Sequence, residues 1–365
     1  MHFGWFPSNA SLASVLGDIA SSGVGALGIS WESSPSLTEV EEVTVDWMRQ
    51  LVGLSDRWRG TIHDTASTAC LTALLAAREK AGKFSSQHGG LQALPNALVV
   101  YTTEEAHSSV EKSALLAGFG RDNLRMVQMD TNTWAMSPNA LATAIDDDLR
   151  LGRVPTAVVA SCGSTNVTAF DPIAAILNIT ESHNIWVHVD AAMAGTAMML
   201  PECRHLWDGV EGADSISWNP HKWMGTILDT SLFFVRAPPH LIRVMSTNPS
   251  YLQSNVDGEA TQFRDWGIPL GRRFRSLKLW FHLYLDGTEA IRDRLCRDLE
   301  NANWLAEQVV AHPDWELVTP LTLQTVCVRH NPGNLDSTAL DQHTQKWVRQ
   351  INDSGTCLLY TSPSP

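Results

Sequence analysis

Residues 215 to 225 read SISWNPHKWMG. A strand-like run ends at Asn219, and the next three residues deliver an imidazole, His221, and an amine, Lys222. Three other strand-like runs end in the same way: TAVVASCGST in Ser164 and Thr165, IWVHVDAA in Asp190, and ALVVYTTEEAH in His107. Open parallel sheets bind ligands beyond the carboxyl ends of their strands. Four strand ends would therefore offer a cation, an anion, imidazoles and hydroxyls to one crevice. Taken singly, each residue has an ordinary explanation. An Asp at a strand end forms a turn or cap, a Lys is solvated, His107 opens a helix, and His188 packs within its strand. His183, His188 and Asp190 also allow a metal site, although their spacing matches no helical ligand pair.

The conjunction meets the demands of pyridoxal phosphate. A lysine holds the aldehyde of that cofactor as a Schiff base, and a carboxylate keeps the ring nitrogen protonated so that the ring accepts electrons. The phosphate sits at a helix N-terminus among hydroxyls. Lys222 fits the first role, Asp190 the second, and a helix beginning near Thr65, Ala66 and Ser67 the third. His107, at the crevice edge, is placed to lie flat on the ring.

The elements that must position these residues are legible as patterns. In TASTACLTALLAAREKAG the apolar positions recur every three or four residues, Asp64 or Thr65 can cap, and Gly82 ends the run, which predicts a helix. ALVVYT, TAVVASC, IWVHVD, DSISW and SLFFV read as buried parallel strands. Their alternation with helical stretches predicts βαβ units, hence an α/β fold with a mostly parallel central sheet and flanking helices. From about Phe281 the chain turns helical, then offers one strand-like run, QTVCVRH, and another helix, which predicts an incomplete α+β small domain over 281–365 after a large domain over 12–280. The closing CLLYTSPSP fits no element and reads as a fragment end or assembly artefact.

Bulk properties exclude other classes. With 365 residues there is room for one large domain and a smaller one. A formal net charge of -13 argues against nucleic acid as the partner, because phosphate binding relies on Lys and Arg. No apolar run reaches the length of a bilayer span, and no basic-then-apolar signal opens the chain, so neither membrane nor export is expected. The six cysteines are scattered without a C-x-x-C pair, which points to reduced thiols in the cytoplasm rather than to a metal centre.

The segments GWFPS, GISWESSPSLTEVE, AHSSVEKSA, HVDAAMAGTA, NPHKWMG, NPSYL and IPLGRRFRSLKLWF together resemble the group II pyridoxal-phosphate-dependent amino acid decarboxylases, most closely the aromatic-L-amino-acid decarboxylases. The likeness runs to about Phe281 and more weakly to about Ser354. It implies the type I, aspartate aminotransferase-like fold in an obligate homodimer with shared active sites. It implies Lys222 as the Schiff-base lysine, Asp190 as the partner of the ring nitrogen, and His107 as the stacking residue. Thr65, Ala66, Ser67, Asn219 and His221 become phosphate contacts, and Thr165 and Ala192 touch the ring.

Trp5, Phe6, Pro7 and Ser8 match the segment lining the substrate, and Leu27 and Ile29 match pocket residues given to the neighbouring subunit. Tyr251, in the loop-like NPSYLQSNVDGEATQ, matches the proton donor. Gly271 holds a position where, among plant relatives, glycine goes with indolic substrates. The resemblance thus implies decarboxylation of tryptophan or 5-hydroxytryptophan, or else of dopa, tyrosine or phenylalanine, to the arylalkylamine and carbon dioxide. Retention of both Tyr251 and His107 favours the amine over an aldehyde. Aldehyde synthesis, glutamate-type decarboxylation and a non-catalytic truncated fragment are the alternatives. The last arises because residues 1–11 look like the remnant of a segment that wraps the partner subunit, and the small domain stops early.

Overall fold

The computed structural model describes residues 10–247 and 258–359. Its centre is a seven-stranded sheet of β1 (Arg59–His63), β2 (Leu98–Thr102), β3 (Leu124–Met126), β4 (Val154–Ser161), β5 (Trp186–Asp190), β6 (Ser215–Trp218) and β7 (Ser231–Val235). Their spatial order is β1-β7-β6-β5-β4-β2-β3. The five strands from β3 to β6 run parallel, whereas β7 is antiparallel to both β6 and β1.

SLFFV was expected to run parallel, and this is corrected. The connection from β6 to β7, residues 219–230, holds the π turn Pro220–Met224 but no crossover helix that would bring the chain back in the same direction, so it re-enters beside β6 reversed. RGTIH, the edge strand β1, was not read as a strand at all. Its arginine and glycine break the apolar pattern, and its burial comes from the neighbours.

The apolar strand runs follow from burial on both faces. Along β4, Ala157 and Val159 face one apolar layer while Val158 and Ala160 face the other; along β7, Phe233 and Val235 oppose Leu232 and Phe234. Helices α1 (Leu12–Val24) and α2 (Pro35–Leu51) precede the sheet. α3 (Ala66–Ala81), α4 (Ser108–Leu116), α5 (Pro138–Arg150), α6 (Ile173–Thr180) and α7 (Pro238–Met245) alternate with the strands. α3 runs from its cap at Thr65 to Gly82, as its periodicity predicts. After the sheet come α8 (Arg275–Asp286), α9 (Thr288–Ala311), a small hairpin of β8 (Trp315–Leu317) and β9 (Val328–His330), and α10 (Ser337–Asp353). No helix among the described residues is long and apolar enough to cross a membrane.

Gly163 follows β4 with φ +85°, and a Cβ there would fall 2.2 Å from the Ala194 Cβ. Both the left-handed backbone and the close approach demand glycine. Gly163→Ala is therefore expected to cost about 2 kcal/mol or more, read as a Tm lower by about 4 °C or more in differential scanning calorimetry. An unchanged Tm would show that the loop after β4 relaxes freely.

Candidate active site

Asp190 closes β5, between the ends of β4 and β6, and is buried. The Ala192 N–H donates to its Oδ1 at 3.0 Å, which fixes the carboxylate. Beside it, β6 ends at Trp218, and the Asn219 N–H donates to the Ala192 carbonyl at 2.9 Å. The chain then makes a π turn, Pro220–Met224, in which Lys222 leaves helical geometry at φ -96° and ψ -115°. α9 grips this turn from outside. Arg294 donates to the Trp223 carbonyl at 3.0 Å, and the Trp223 indole N–H donates to Asp298 at 2.9 Å. α1 holds its far end, the Ser11 N–H donating to the Gly225 carbonyl at 2.7 Å.

Electrostatics tie the strand ends together. Burial holds the Lys222 amine below its ordinary pKa, and Asp190 draws it partly back. His107 is likewise held down, first by burial and then by Lys222, with Asp190 opposing. One crevice thus joins the ends of β2, β5 and β6. Thr165 belongs to the same rim, since the neighbouring Asn166 donates to Glu105 Oε2, two residues before His107, at 3.3 Å. Burial also raises the Glu105 carboxyl above the ordinary range.

The imidazoles are oriented by their hydrogen bonds. The Ser109 N–H donates to His107 Nδ1 at 3.2 Å, so His107 caps α4 and, when neutral, carries its proton on Nε2. The Thr230 N–H donates to His221 Nδ1 at 2.9 Å and leaves the same tautomer there. His188 is fully buried, with Nδ1 bonded to Ser215 Oγ at 2.9 Å and Nε2 to Ser217 Oγ at 3.3 Å. Both its nitrogens are engaged by hydroxyls, which makes it a packed residue.

The start of α3 is a helix N-terminus of the kind that suits an anion. Thr65 is the N-cap, its side chain makes no capping bond, and the first turn holds no acidic residue. The helix beginning there is sixteen residues long, so its N–H groups face outward with a favourable dipole. Ala66 is buried and Ser67 exposed, and Ser113 of α4 donates to the Ser67 carbonyl at 3.4 Å. Asn219 is buried and its Oδ1 has no partner.

The substrate-side residues form a patch of their own. Leu27 Cδ1 lies 3.5 Å from where a Gly271 Cβ would be, both residues are exposed, and the Gly28 N–H donates to the Arg272 carbonyl at 2.9 Å. Ile29 is half-buried beside them. Trp5, Phe6, Pro7, Ser8 and Tyr251 lie outside the described residues.

Sequence reasoning missed the positioning groups. Ser109, Thr230, Arg294 and the buried pair of Glu41 and Arg272 carry no local motif, because each acts on a segment the chain reaches only by folding.

Three comparisons bear on this arrangement. The family described as "Pyridoxal-dependent decarboxylase conserved domain" matches residues 1–331. The chain is 38% identical over 362 residues to the phenylacetaldehyde synthase of Arabidopsis thaliana, covering 97% of this chain and 73% of that one. It is 36% identical over 367 residues to tryptophan decarboxylase 2 of Oryza sativa subsp. japonica, covering 98% and 73%. A crystal structure of Oryza sativa TDC with PLP and tryptamine superposes with a TM-score of 0.95 at 33% identity, over 99% of this chain and 76% of that one.

The crevice fits pyridoxal phosphate group by group. The uncapped start of α3 suits a phosphate, Asp190 suits a ring nitrogen, and the half-buried Lys222 amine suits an aldehyde.

The buried imidazoles also set a pH limit on stability. His63, His188, His221 and His282 are each pushed down to about 4, chiefly by burial. Their folded pKa values lie below the unfolded one of about 6.5, so the unfolded chain takes up protons first as the pH falls. Stability is therefore full above about pH 6.5 and is lost toward pH 4. Asp171, raised to about 6 by burial, acts in the opposite sense over part of that window, one group against four. Tm is expected to fall by roughly 10 °C between pH 7 and pH 5, followed by scanning calorimetry. A flat profile would mean that these rings are hydrated in the native protein.

Proposed function

Because the chain belongs to the pyridoxal-dependent decarboxylase family, and is on that ground a pyridoxal-phosphate-dependent carboxy-lyase, we propose that it converts an aromatic L-amino acid to the arylalkylamine and carbon dioxide. The observation that carries this reading is the electrostatic meeting of Lys222, Asp190 and His107 at the ends of strands from one sheet. Bound pyridoxal phosphate supplies the sink for the electron pair that departing carbon dioxide leaves on the substrate Cα.

The remaining tasks fall to the chain itself. Lys222 would hold the aldehyde carbon, and its lowered pKa raises the fraction of neutral, nucleophilic amine near pH 7. Asp190, fixed by the Ala192 N–H, presents a preorganised negative charge to the ring nitrogen without having to reorient. His107 covers one ring face and, held below its ordinary pKa, adds no second cation beside Lys222. Thr65, Ala66 and Ser67, with the Asn219 amide and the Nε2 proton of His221, hold the phosphate, while Thr165 and Ala192 line the ring. Tyr251 would return a proton from its hydroxyl to Cα. Trp5, Phe6, Pro7 and Ser8 would hold the substrate carboxylate and side chain.

In the same reading residues 12–280 form the cofactor-binding domain and 281–365 a smaller one. The chain works as a homodimer in which Leu27, Ile29 and Gly271 complete the pocket of the neighbouring subunit. The exposure of Leu27, and of Leu12, Leu16 and Ile19 on the helix leading to it, supports such a contact.

Tryptophan and 5-hydroxytryptophan are the preferred substrates in this proposal, because Gly271 leaves room for a bicyclic ring. Purified protein with pyridoxal phosphate is to be offered these two, dopa, tyrosine, phenylalanine and glutamate, with products identified by mass. Amine and carbon dioxide are expected in equal amounts from an aromatic substrate, and Lys222→Ala should lose both the visible absorption of bound cofactor and at least about a thousandfold in turnover. Aldehyde with oxygen uptake, or turnover of glutamate alone, would refute the assignment. Gly271→Ser should move the ratio of kcat/KM for tryptophan over tyrosine by roughly tenfold toward tyrosine. An unmoved ratio removes Gly271 from substrate choice.

A further inference from the structure

We infer that the buried ion pair of Glu41 and Arg272 is a positioning device that fixes the cofactor cradle and the substrate-side loop relative to one another. The inference rests on the reading of those two places given above.

β1 is an edge strand. β7 pairs with one side of it, and among the described residues no strand pairs with the other. An open edge leaves backbone groups without a ladder partner, and at Ile62 the ion pair takes that place. The Ile62 N–H donates to Glu41 Oε1 at 2.9 Å, and the Ile62 carbonyl accepts from Arg272 Nη2 at 2.8 Å. Thr61 Oγ1 donates to the same Glu41 oxygen at 2.9 Å and accepts from the same Arg272 nitrogen at 3.1 Å. The pair closes on itself at 2.5 Å between Arg272 Nη2 and Glu41 Oε1. Three residues beyond Ile62 the chain reaches Thr65, where the phosphate cradle begins.

The other end of Arg272 belongs to the substrate side. It follows Gly271 directly, and its carbonyl accepts from the Gly28 N–H beside Leu27 at 2.9 Å. A single residue therefore connects the exit of β1, the loop bearing Gly271 and the segment bearing Leu27.

Energetics argue that stability is not the reason for the pair. Both side chains are buried, yet Glu41 Oε2 and Arg272 Nη1 have no partner. Desolvating two charges and leaving one atom of each unpaired is costly, and apolar residues of similar volume would hold the same space at least as well. What an apolar pair would not do is grip the N–H and carbonyl of Ile62 and fix the direction in which β1 ends.

The decisive variant is Glu41→Leu with Arg272→Met, made in the full chain. Four quantities are measured: Tm, the dissociation constant of pyridoxal phosphate by absorbance titration, and KM and kcat for the best aromatic substrate. The double variant is expected to keep or raise Tm while cofactor dissociation and KM each rise about tenfold and kcat at saturation changes less than threefold. Unchanged cofactor affinity and KM would overturn the inference, as would a change in only one of them, since the two places would then be held independently. If the double variant does not fold, Glu41→Gln is decisive on the same readouts. Cofactor affinity is read without turnover, so a wild-type protein that binds cofactor but releases no amine would refute the proposed reaction while leaving the cradle arm of this test intact.

Discussion

A half-buried amine beside a buried carboxylate is the constraint on which the rest of this structure depends. Taking either charge out of water alone is expensive, and each lowers the cost of the other only if both are held in place. The sheet does the holding. Asp190 ends the strand flanked by β4 and β6, in register with Ser161 on one side and Ser217 on the other. Strands lie only about 4.8 Å apart, so the turn that leaves β6 must pass close to it. The Asn219 to Ala192 bond then locks that turn to the end of β5. The two functional charges are thus spaced by backbone, which does not drift as loops do.

The same economy governs the imidazoles. His107 and His221 each accept one backbone N–H on Nδ1, from Ser109 and Thr230, which fixes both ring plane and tautomer and leaves Nε2 to face a ligand. Burial lowers the pKa of both, so neither competes with Lys222 as a cation. A histidine with both nitrogens engaged, as in His188, has no such capacity. The distinction between a packed and a poised histidine lies in that one remaining nitrogen.

The parts of this arrangement that were legible in the sequence are those where the signal is local. A strand-like run followed by NPHK, or ending in Asp190, announces a strand end, and the period of α3 with its Thr65 cap announces a helix N-terminus. The direction of β7 departs from the expectation because direction depends on the shape of the connection, and the segment 219–230, with its π turn, does not differ in composition from one that holds a crossover helix. β1 escaped notice because RGTIH is a strand by virtue of what pairs with it. Glu41 and Arg272 are 231 positions apart, and neither looks unusual in its own segment. Juxtapositions of that kind are set by the tertiary fold and leave no trace in spacing.

The distribution of burial over the candidate site separates what must stay from what can change. Asp190 and His221 are buried and each accepts a backbone N–H, so almost any replacement there leaves a desolvated group without its partner. Leu27 and Gly271 stand exposed, with ordinary van der Waals contact between them, where substitutions usually alter stability by half a kcal/mol or less. The exposed patch can therefore change at almost no cost to the fold, while the buried strand ends are held constant. A scaffold divided in this way can serve several aromatic substrates with one chemistry, provided that some rigid link keeps the changing wall in register with the unchanging cradle.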